Sequence, residues 1–377
     1  MIDRILYTIV SEKLYQGKAI LIIGPRQTGK TTLIKRILEG KQDKTIFLNC
    51  DDPSVINALT NASLVLLKQI IGDKKLVFID EAQRVKNIGL TLKLIHDNLN
   101  VQLIVSGSSA FDLANEINEP LTGRKWEYQL LPISWQELSN HFGFLEAKNQ
   151  LNTRMIYGMY PDVINNLGLE REVLQELAGS YLYKDLLQFD GIRKPDLIDK
   201  ILKALAFQIG SEVSYNEIAN LVQTDKNTVI KYVNLLEKVF IVFQLPSLRR
   251  NLRNEIGTKK KVYFFDNGIR NTLIGNFNQL EMRNDVGALW ENFLISERIK
   301  VNLYSRTFAQ RYFWRTTRQQ EIDYVEDRDG RLSAFEFKWS VRKKIRIPSS
   351  FTESYPGAKV NVITPENFNE FLLNEQT

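Results

Sequence analysis

Residues 24–31 read Gly-Pro-Arg-Gln-Thr-Gly-Lys-Thr, a complete G-x-x-x-x-G-K-[ST] run. An apolar segment, KAILIIG (18–24), leads into it, and an amphipathic one, TTLIKRILEG, leads out. This context constrains the fold more than any other feature, because the motif needs a buried strand to launch it and a helix to close it. Its glycines let backbone N–H groups curl round a phosphate, and the helix N-terminus adds partial positive charge. Gly24, Pro25, Arg26, Gln27, Thr28 and Gly29 are therefore the expected cradle, continued by Lys30, Thr31 and Thr32. Lys30 would reach the β- and γ-phosphates, and the Thr31 hydroxyl would ligate Mg²⁺.

The first 135 residues repeat the same alternation. KTIFLN (44–49), KLVFIDE (75–81), VQLIVSGSS (101–109) and WEYQLLPIS (126–134) have strand length and apolar content, while GLTLKLIHDNL between them has helical spacing. Strand–helix alternation predicts an α/β fold, a parallel sheet with helices on both faces. LVFIDE would deliver Asp80 to a strand end beside the phosphate loop, where it orients the metal's water shell. Glu81 is placed to polarise the attacking water as general base. LIVSGSS ends in hydroxyls, with Ser108 the first candidate to sit between the γ-phosphate and water, and Ser106 the second. Arg124 precedes the fifth strand, where a guanidinium can act as a finger on a neighbouring subunit's γ-phosphate, a solvated loop arginine being the alternative.

Composition excludes several classes. A length of 377 residues argues for two or three domains. One cysteine, Cys50, rules out an internal disulfide framework, and only His96 and His141 accompany it, too few for a Cys/His zinc site. No apolar run approaches the ~18 residues of a membrane span, so a cytoplasmic protein without membrane contact is expected. The net charge of +6 is mild, but residues 249–261 hold six basic side chains and one acid, Glu255.

Beyond residue 135 the pattern turns helical. SYNEIANLVQTDKNTVIKYVNLLEKVFIVFQLP reads as helix, short turn at Thr224–Asp225, helix and strand, the outline of a winged helix-turn-helix. Lys226, Asn227, Thr228 and Lys231 open its second helix, where phosphate and base contacts arise, and the 249–261 run follows. The last segment is mixed: KVYFFD, a helix around ALWENFLISERIK, then strands RYFWR, EIDYVED and LSAFEFKW, the last two joined across Asp329-Gly330. Alternation puts Glu336 and Lys338 on one face, with Asp323 beside them across the hairpin and Glu291 on the helix. Two carboxylates and a lysine at a sheet edge can hold Mg²⁺ and activate water. Tyr312, Trp314, Arg315 and Arg318 precede them and are expected to line an approach for nucleic acid.

GPRQTGKT, LVFIDEAQRV, VSGSS, LTGR and YGMYPDVI, in this order, resemble the AAA-type domain of a large prokaryotic group of uncharacterised ATPases that carry a C-terminal domain of unknown function. The resemblance implies Mg-ATP at Lys30, Thr31, Asp80 and Glu81, a finger role for Arg124, and a lid arginine for which Arg154 and Arg171 are both candidates. Asp323, Glu336 and Lys338, with Glu291 as helical acid, resemble the PD-(D/E)xK nuclease signature, although Ile322 stands where its proline would be. The expected layout is an AAA+-like domain over 1–165, a helical and winged-helix region over 166–255, and a nuclease-like domain over 256–377. The expected function is Mg²⁺-dependent ATP hydrolysis with nucleic acid, DNA first, as partner, in a homo-oligomer if Arg124 works in trans. The alternative is a nucleotide-controlled protein-interaction switch whose C-terminal domain cuts nothing.

Overall fold

The apolar runs of the first unit become strands: β1 Ala19–Ile23, β2 Thr45–Asn49, β3 Leu76–Asp80, β4 Gln102–Gly107 and β5 Lys125–Gln129. The computed structural model describes residues 1–108, 119–179, 195–248, 260–340 and 347–373. Every residue of β1, β3 and β4 is buried, as central parallel strands covered on both faces must be. All neighbours pair in parallel, in the order β2-β3-β4-β1-β5, with Ile20 opposite Ile104 and Ile79 opposite Val105. Inserting β4 between β1 and β3 brings three strand ends together at the mouth of the sheet. The helices Lys30–Ile37 and Ile88–Asn98 have the bounds that their helical spacing predicts to within a few residues.

Two glycines make the phosphate loop feasible. A Cβ on Gly24 would lie 2.1 Å from the Leu130 carbonyl oxygen, so no larger residue fits there. Gly29 precedes the helix Lys30–Ile37 with φ +88°, a left-handed conformation that glycine adopts without steric cost.

The chain divides into two compact units, Met1–Pro132 with Lys238–Phe240, and Ile133–Glu237 with Ile241–Thr377. In the second, the helices Tyr215–Leu221 and Lys226–Lys238 are joined by a short turn in which Asp225 accepts the Thr228 amide at 2.9 Å and its hydroxyl at 2.6 Å. β6 Glu212–Val213, β7 Val242–Pro246 and β8 Lys260–Phe264 form an antiparallel sheet in the order β6-β8-β7. Then come the helix Val286–Tyr304, β9 Gln310–Arg315, β10 Glu321–Arg328, β11 Arg331–Phe337, the helix Ser349–Ser354 and β12 Lys359–Ile363. Their sheet runs β12-β11-β10-β9, antiparallel except that β12 lies parallel to β11. Asp329 and Gly330 both take positive φ, 52° and 81°, as a two-residue type I′ hairpin requires.

One expectation for this sheet is overturned. Tyr312 and Trp314 do not line a nucleic-acid approach. Both are only 7% exposed and pack in an apolar cluster with Ile322, Val325 and Phe351, the Trp314 ring meeting Phe351 edge-on at 5.1 Å. β9 is buried along its centre, so its aromatics serve the core.

Candidate functional site

The strand order sets the first site. β1 ends at the phosphate loop, β3 ends at Asp80, and β4 ends beside Ser108. The Asp80 carboxylate, 5% exposed, accepts the Thr31 hydroxyl at 2.7 Å on one oxygen and the Ser106 hydroxyl on the other. Lys30 lies inside the loop it follows, donating to the carbonyls of Gly24 at 2.9 Å and Pro25 at 2.8 Å. Its ammonium is thus held where a phosphate would displace loop carbonyls as its partner. Arg4 braces the loop from outside, donating to the carbonyls of Thr28 at 2.6 Å and Leu131 at 2.5 Å.

Glu81 has φ 53° and ψ 41°, a left-handed conformation uncommon for a side-chain-bearing residue and concentrated at functional positions. The Gln83 amide nitrogen donates to Glu81 Oε2 at 2.6 Å and to Ser108 Oγ at 2.9 Å. One amide therefore ties the candidate base to the candidate hydroxyl. A cleft of about 370 Å³ opens between Arg26, Gln27 and the run from Gly29 to Thr32 and, facing them, Asp80 and Glu81, with Asp51 and Arg84, also in its lining, paired at 2.9 Å. A second cavity, about 430 Å³ around Tyr15, Lys18, His96 and Gln102, lies where strands begin. Ligands of open α/β sheets bind at the carboxyl ends of strands, which selects the first.

Arg124 stands at the other end of the sheet. Its carbonyl accepts the Ala19 amide at 2.9 Å, at the start of β1, so five residues of strand separate it from the loop, roughly 16 Å. It cannot reach this chain's own phosphates. Its Nε bonds Asp97 at 2.8 Å, with 40% of the side chain exposed. The two lid candidates both fall in the second unit. Arg154 is fully buried, its guanidinium nitrogens have no hydrogen-bond partner among the described residues, and burial lowers its pKa against the pull of Glu170 and Asp266. Arg171 stacks over Phe277 at 5.5 Å.

In the second unit, Lys226, Asn227 and Lys231 are exposed at the start of their helix, and Thr228 is half-buried. Residues 249–259 of the basic run lie outside the described residues; Lys260 bonds Gln244 at 3.1 Å. Further on, carboxylate oxygens of Glu291, Glu321 and Asp323 lie within 4.8 Å of one another. Lys261 Nζ reaches Glu291 at 3.0 Å and also bonds Glu321, and the Tyr263 hydroxyl donates to Glu291. Glu336 is joined instead to Lys338 at 2.6 Å, and Lys338 lies 3.9 Å from Asp323, which accepts the Phe337 amide at 2.8 Å. Of the nuclease-like set, Glu291 and Asp323 come together directly, while Glu336 is linked to Asp323 through Lys338 and through the Asp323 backbone amide.

Burial dominates the electrostatics here. It pushes Glu291 up to about 7, against the pull of Lys261. Burial likewise raises Asp323, and raises Glu336 with help from the Asp323 charge. For Lys261 burial acts in the opposite sense but is outweighed by Glu291, Glu321 and Asp323, so its pKa is raised. The Lys261 ammonium occupies oxygens of two of the three acids, Glu291 and Glu321, so a divalent ion at this set would have to compete with it.

Arg4, Gln83, Lys261, Tyr263 and Glu321 were not anticipated from the sequence. Glu321-x-Asp323 carried a signal, since alternate strand positions share a face. A lysine inside the apolar strand KKVYFF was another, since a buried lysine implies a partner.

Comparison with known proteins completes the assignment. Residues 16–139 match the AAA domain family, residues 148–280 a domain of unknown function (DUF8612), and residues 286–376 another (DUF4143). Sheet, phosphate loop and family match define the class of the first unit: a nucleotide-binding P-loop module of the AAA+-type ATPases. An uncharacterised protein of Mycobacterium tuberculosis is 26% identical over 331 residues, 86% of this chain and 71% of the relative. An uncharacterised protein of Methanocaldococcus jannaschii is 24% identical over 336 residues, 83% and 73% of the two chains. Among solved structures, Cdc6p from Pyrobaculum aerophilum overlaps 68% of this chain and 87% of its own at 13% identity, with a TM-score of 0.31 too low to carry an argument. Among the described residues no helix is long and apolar enough to cross a membrane.

Proposed function

We propose that this protein hydrolyses ATP with Mg²⁺ in its first unit and works with nucleic acid, DNA foremost, through its second. The observation that carries the reading is that Thr31, Asp80 and Glu81 line one cleft, with Asp80 bonded to Thr31 and Ser106 and with Gln83 tying Glu81 to Ser108. Thr31 and Asp80 offer hard oxygen donors beside the loop and fit Mg²⁺, whose chemistry when bound is to neutralise charge on the β- and γ-phosphates. The loop and Lys30 orient the triphosphate. Glu81 accepts a proton from water, and Ser108, held to Glu81 by Gln83, positions that water. Arg124, out of reach of its own cleft, serves a neighbouring subunit's phosphate, so the active form is a homo-oligomer.

The nucleic-acid part rests on the exposed Lys226, Asn227 and Lys231 at the start of the second helix of a helix-turn-helix, a place suited to phosphate contacts. A second reading is favoured by one observation, the ammonium of Lys261 among the acids of the C-terminal sheet. On that reading the last domain is a nuclease-like shape that binds nucleic acid or protein without cutting, under control of the nucleotide. ATPase and cleavage assays of the full chain with and without DNA, RNA and divalent metal separate the two. Turnover that rises with DNA supports the first reading. Turnover indifferent to nucleic acid at low salt supports a protein-interaction switch.

A further inference from the structure

β8 has the sequence Lys260-Lys261-Val262-Tyr263-Phe264, and alternation gives its two faces different company. Val262 and Phe264 are fully buried on one face, while Lys261 and Tyr263 share the other. That second face is no more open to water, for Lys261 is 1% exposed and Tyr263 is fully buried. A lysine so placed must find carboxylates, because an unpaired buried ammonium is prohibitively costly. Lys261 finds them in elements far along the chain: Glu291 Oε1 at 3.0 Å on the helix Val286–Tyr304, and Glu321 at the start of β10. Asp323, two residues on along the same strand, completes the acidic group.

Three carboxylates whose oxygens lie within 4.8 Å of one another need a compact positive charge between them. A divalent cation would supply it by drawing oxygens to ~2.0–2.6 Å. Here an ammonium tethered to β8 supplies it. It bonds Glu291 and Glu321, two of the three carboxylates an ion would need, with the Asp323 charge close by, and the Phe313 ring lies 5.4 Å from it. The second oxygen of Glu321 is engaged as well, 3.3 Å from Arg315 Nε. Ammonium and metal compete for one volume, and the ammonium carries no cost of capture because the strand holds it there.

We infer that Lys261 is a built-in cation that takes the place of a divalent metal among Glu291, Glu321 and Asp323. While β8 is docked, the C-terminal sheet is closed to metal, and with it to metal-dependent attack on a phosphodiester. Lys261 also fastens the small antiparallel sheet β6-β8-β7 to the helix and strand bearing the acids. Metal binding and docking of β8 therefore exclude each other. This holds whether or not the first unit hydrolyses ATP.

The test is a Mn²⁺ titration of the full chain without nucleotide, following free Mn²⁺ by electron paramagnetic resonance. Without nucleotide the ATP cleft lacks the phosphate oxygens that complete its metal site, so a new site reports on the C-terminal cluster. Wild type is expected to bind no Mn²⁺ at the cluster. Lys261→Met, which keeps the apolar stem, should gain one site at least ~10-fold tighter than any in wild type, lost again on adding Glu321→Gln. A folded Lys261→Met that gains no site overturns the inference. Should Lys261→Met fail to fold by circular dichroism, Glu321→Gln alone decides. Unchanged Mn²⁺ binding relative to wild type upholds the inference, and loss of a wild-type site refutes it.

Discussion

Replacing Arg298 with methionine keeps a helix-forming residue with an apolar stem but removes the cation facing Glu326. Glu326 is fully buried and accepts Arg298 Nε at 2.9 Å and Nη2 at 3.0 Å. Asn302 donates at 2.7 Å, Arg328 at 2.8 Å and the Tyr324 hydroxyl at 2.9 Å. Burial alone would raise this carboxyl, but the Arg298 hydrogen bonds and charge, with Asn302 and Arg328, outweigh it and hold Glu326 at about 2. The drop from an ordinary 4.5 to about 2 corresponds to ~3 kcal/mol of stability at neutral pH, most of it through Arg298. A depressed folded value means that this stability is complete above pH 4.5 and is lost as the pH falls toward 2. Arg298→Met should therefore cost ~2–3 kcal/mol at neutral pH, and the cost should shrink at pH ~3. A competing account exists on the same side chain. Arg298 also lies over the Phe371 ring at 4.8 Å and donates to the Phe371 carbonyl at 2.6 Å, contacts whose loss would not depend on pH in this range. Urea unfolding of wild type and variant across this pH range, followed by tryptophan fluorescence, decides between them. A difference that stays constant with pH would refute the charge argument and assign the effect to Phe371. The outcome bears on the second site, because Arg298 and Glu326 tie the helix carrying Glu291 to the strand carrying Glu321 and Asp323.

In the first unit, Lys30→Ala should abolish or strongly weaken binding of a fluorescent ATP analogue, since the γ-phosphate loses its principal cation. Glu81→Gln should bind the analogue as wild type does yet slow turnover by ~10²-fold or more; near-normal turnover would show that water is activated elsewhere. Arg124→Ala should bind nucleotide but hydrolyse it slowly, and mixing it with Lys30→Ala subunits should restore some activity. A strictly monomeric protein whose specific activity ignores concentration would end the trans role of Arg124.

What the sequence made legible was local. The phosphate loop is contiguous, so eight residues and their flanks announce strand, cradle and helix together, and Asp329-Gly330 announces its hairpin for the same reason. Gln83 was hidden although it is two residues from Glu81, because its role depends on Ser108, which only the insertion of β4 between β1 and β3 brings near. Arg4 reaches Leu131 across 127 residues, a pairing no pattern encodes. Tyr312 and Trp314 were misjudged because aromatic and basic residues side by side suit both a stacking surface and a strand whose centre is buried.

Asp80 and the acids of the C-terminal sheet differ in what holds them, and on the readings proposed above that difference separates a site ready for metal from one that is closed. Asp80 is held by the hydroxyls of Thr31 and Ser106, neutral donors that fix its orientation without cancelling its charge. A cation arriving with a nucleotide meets an aligned carboxylate. In the second unit neutral donors are joined by cations: beside the Tyr263 hydroxyl on Glu291 and the Phe337 amide on Asp323 stand Lys261 on Glu291 and Glu321, Arg315 on Glu321, and Lys338 on Glu336. An ion entering there would have to displace an ammonium whose own pKa the acids have raised, and the displaced charge would remain buried. Carboxylate spacing alone does not distinguish these cases, which is why a D…E-x-K pattern reads as a metal site in sequence, while Lys261 on Glu291 and Glu321, beside Asp323, is the group inferred above to close it.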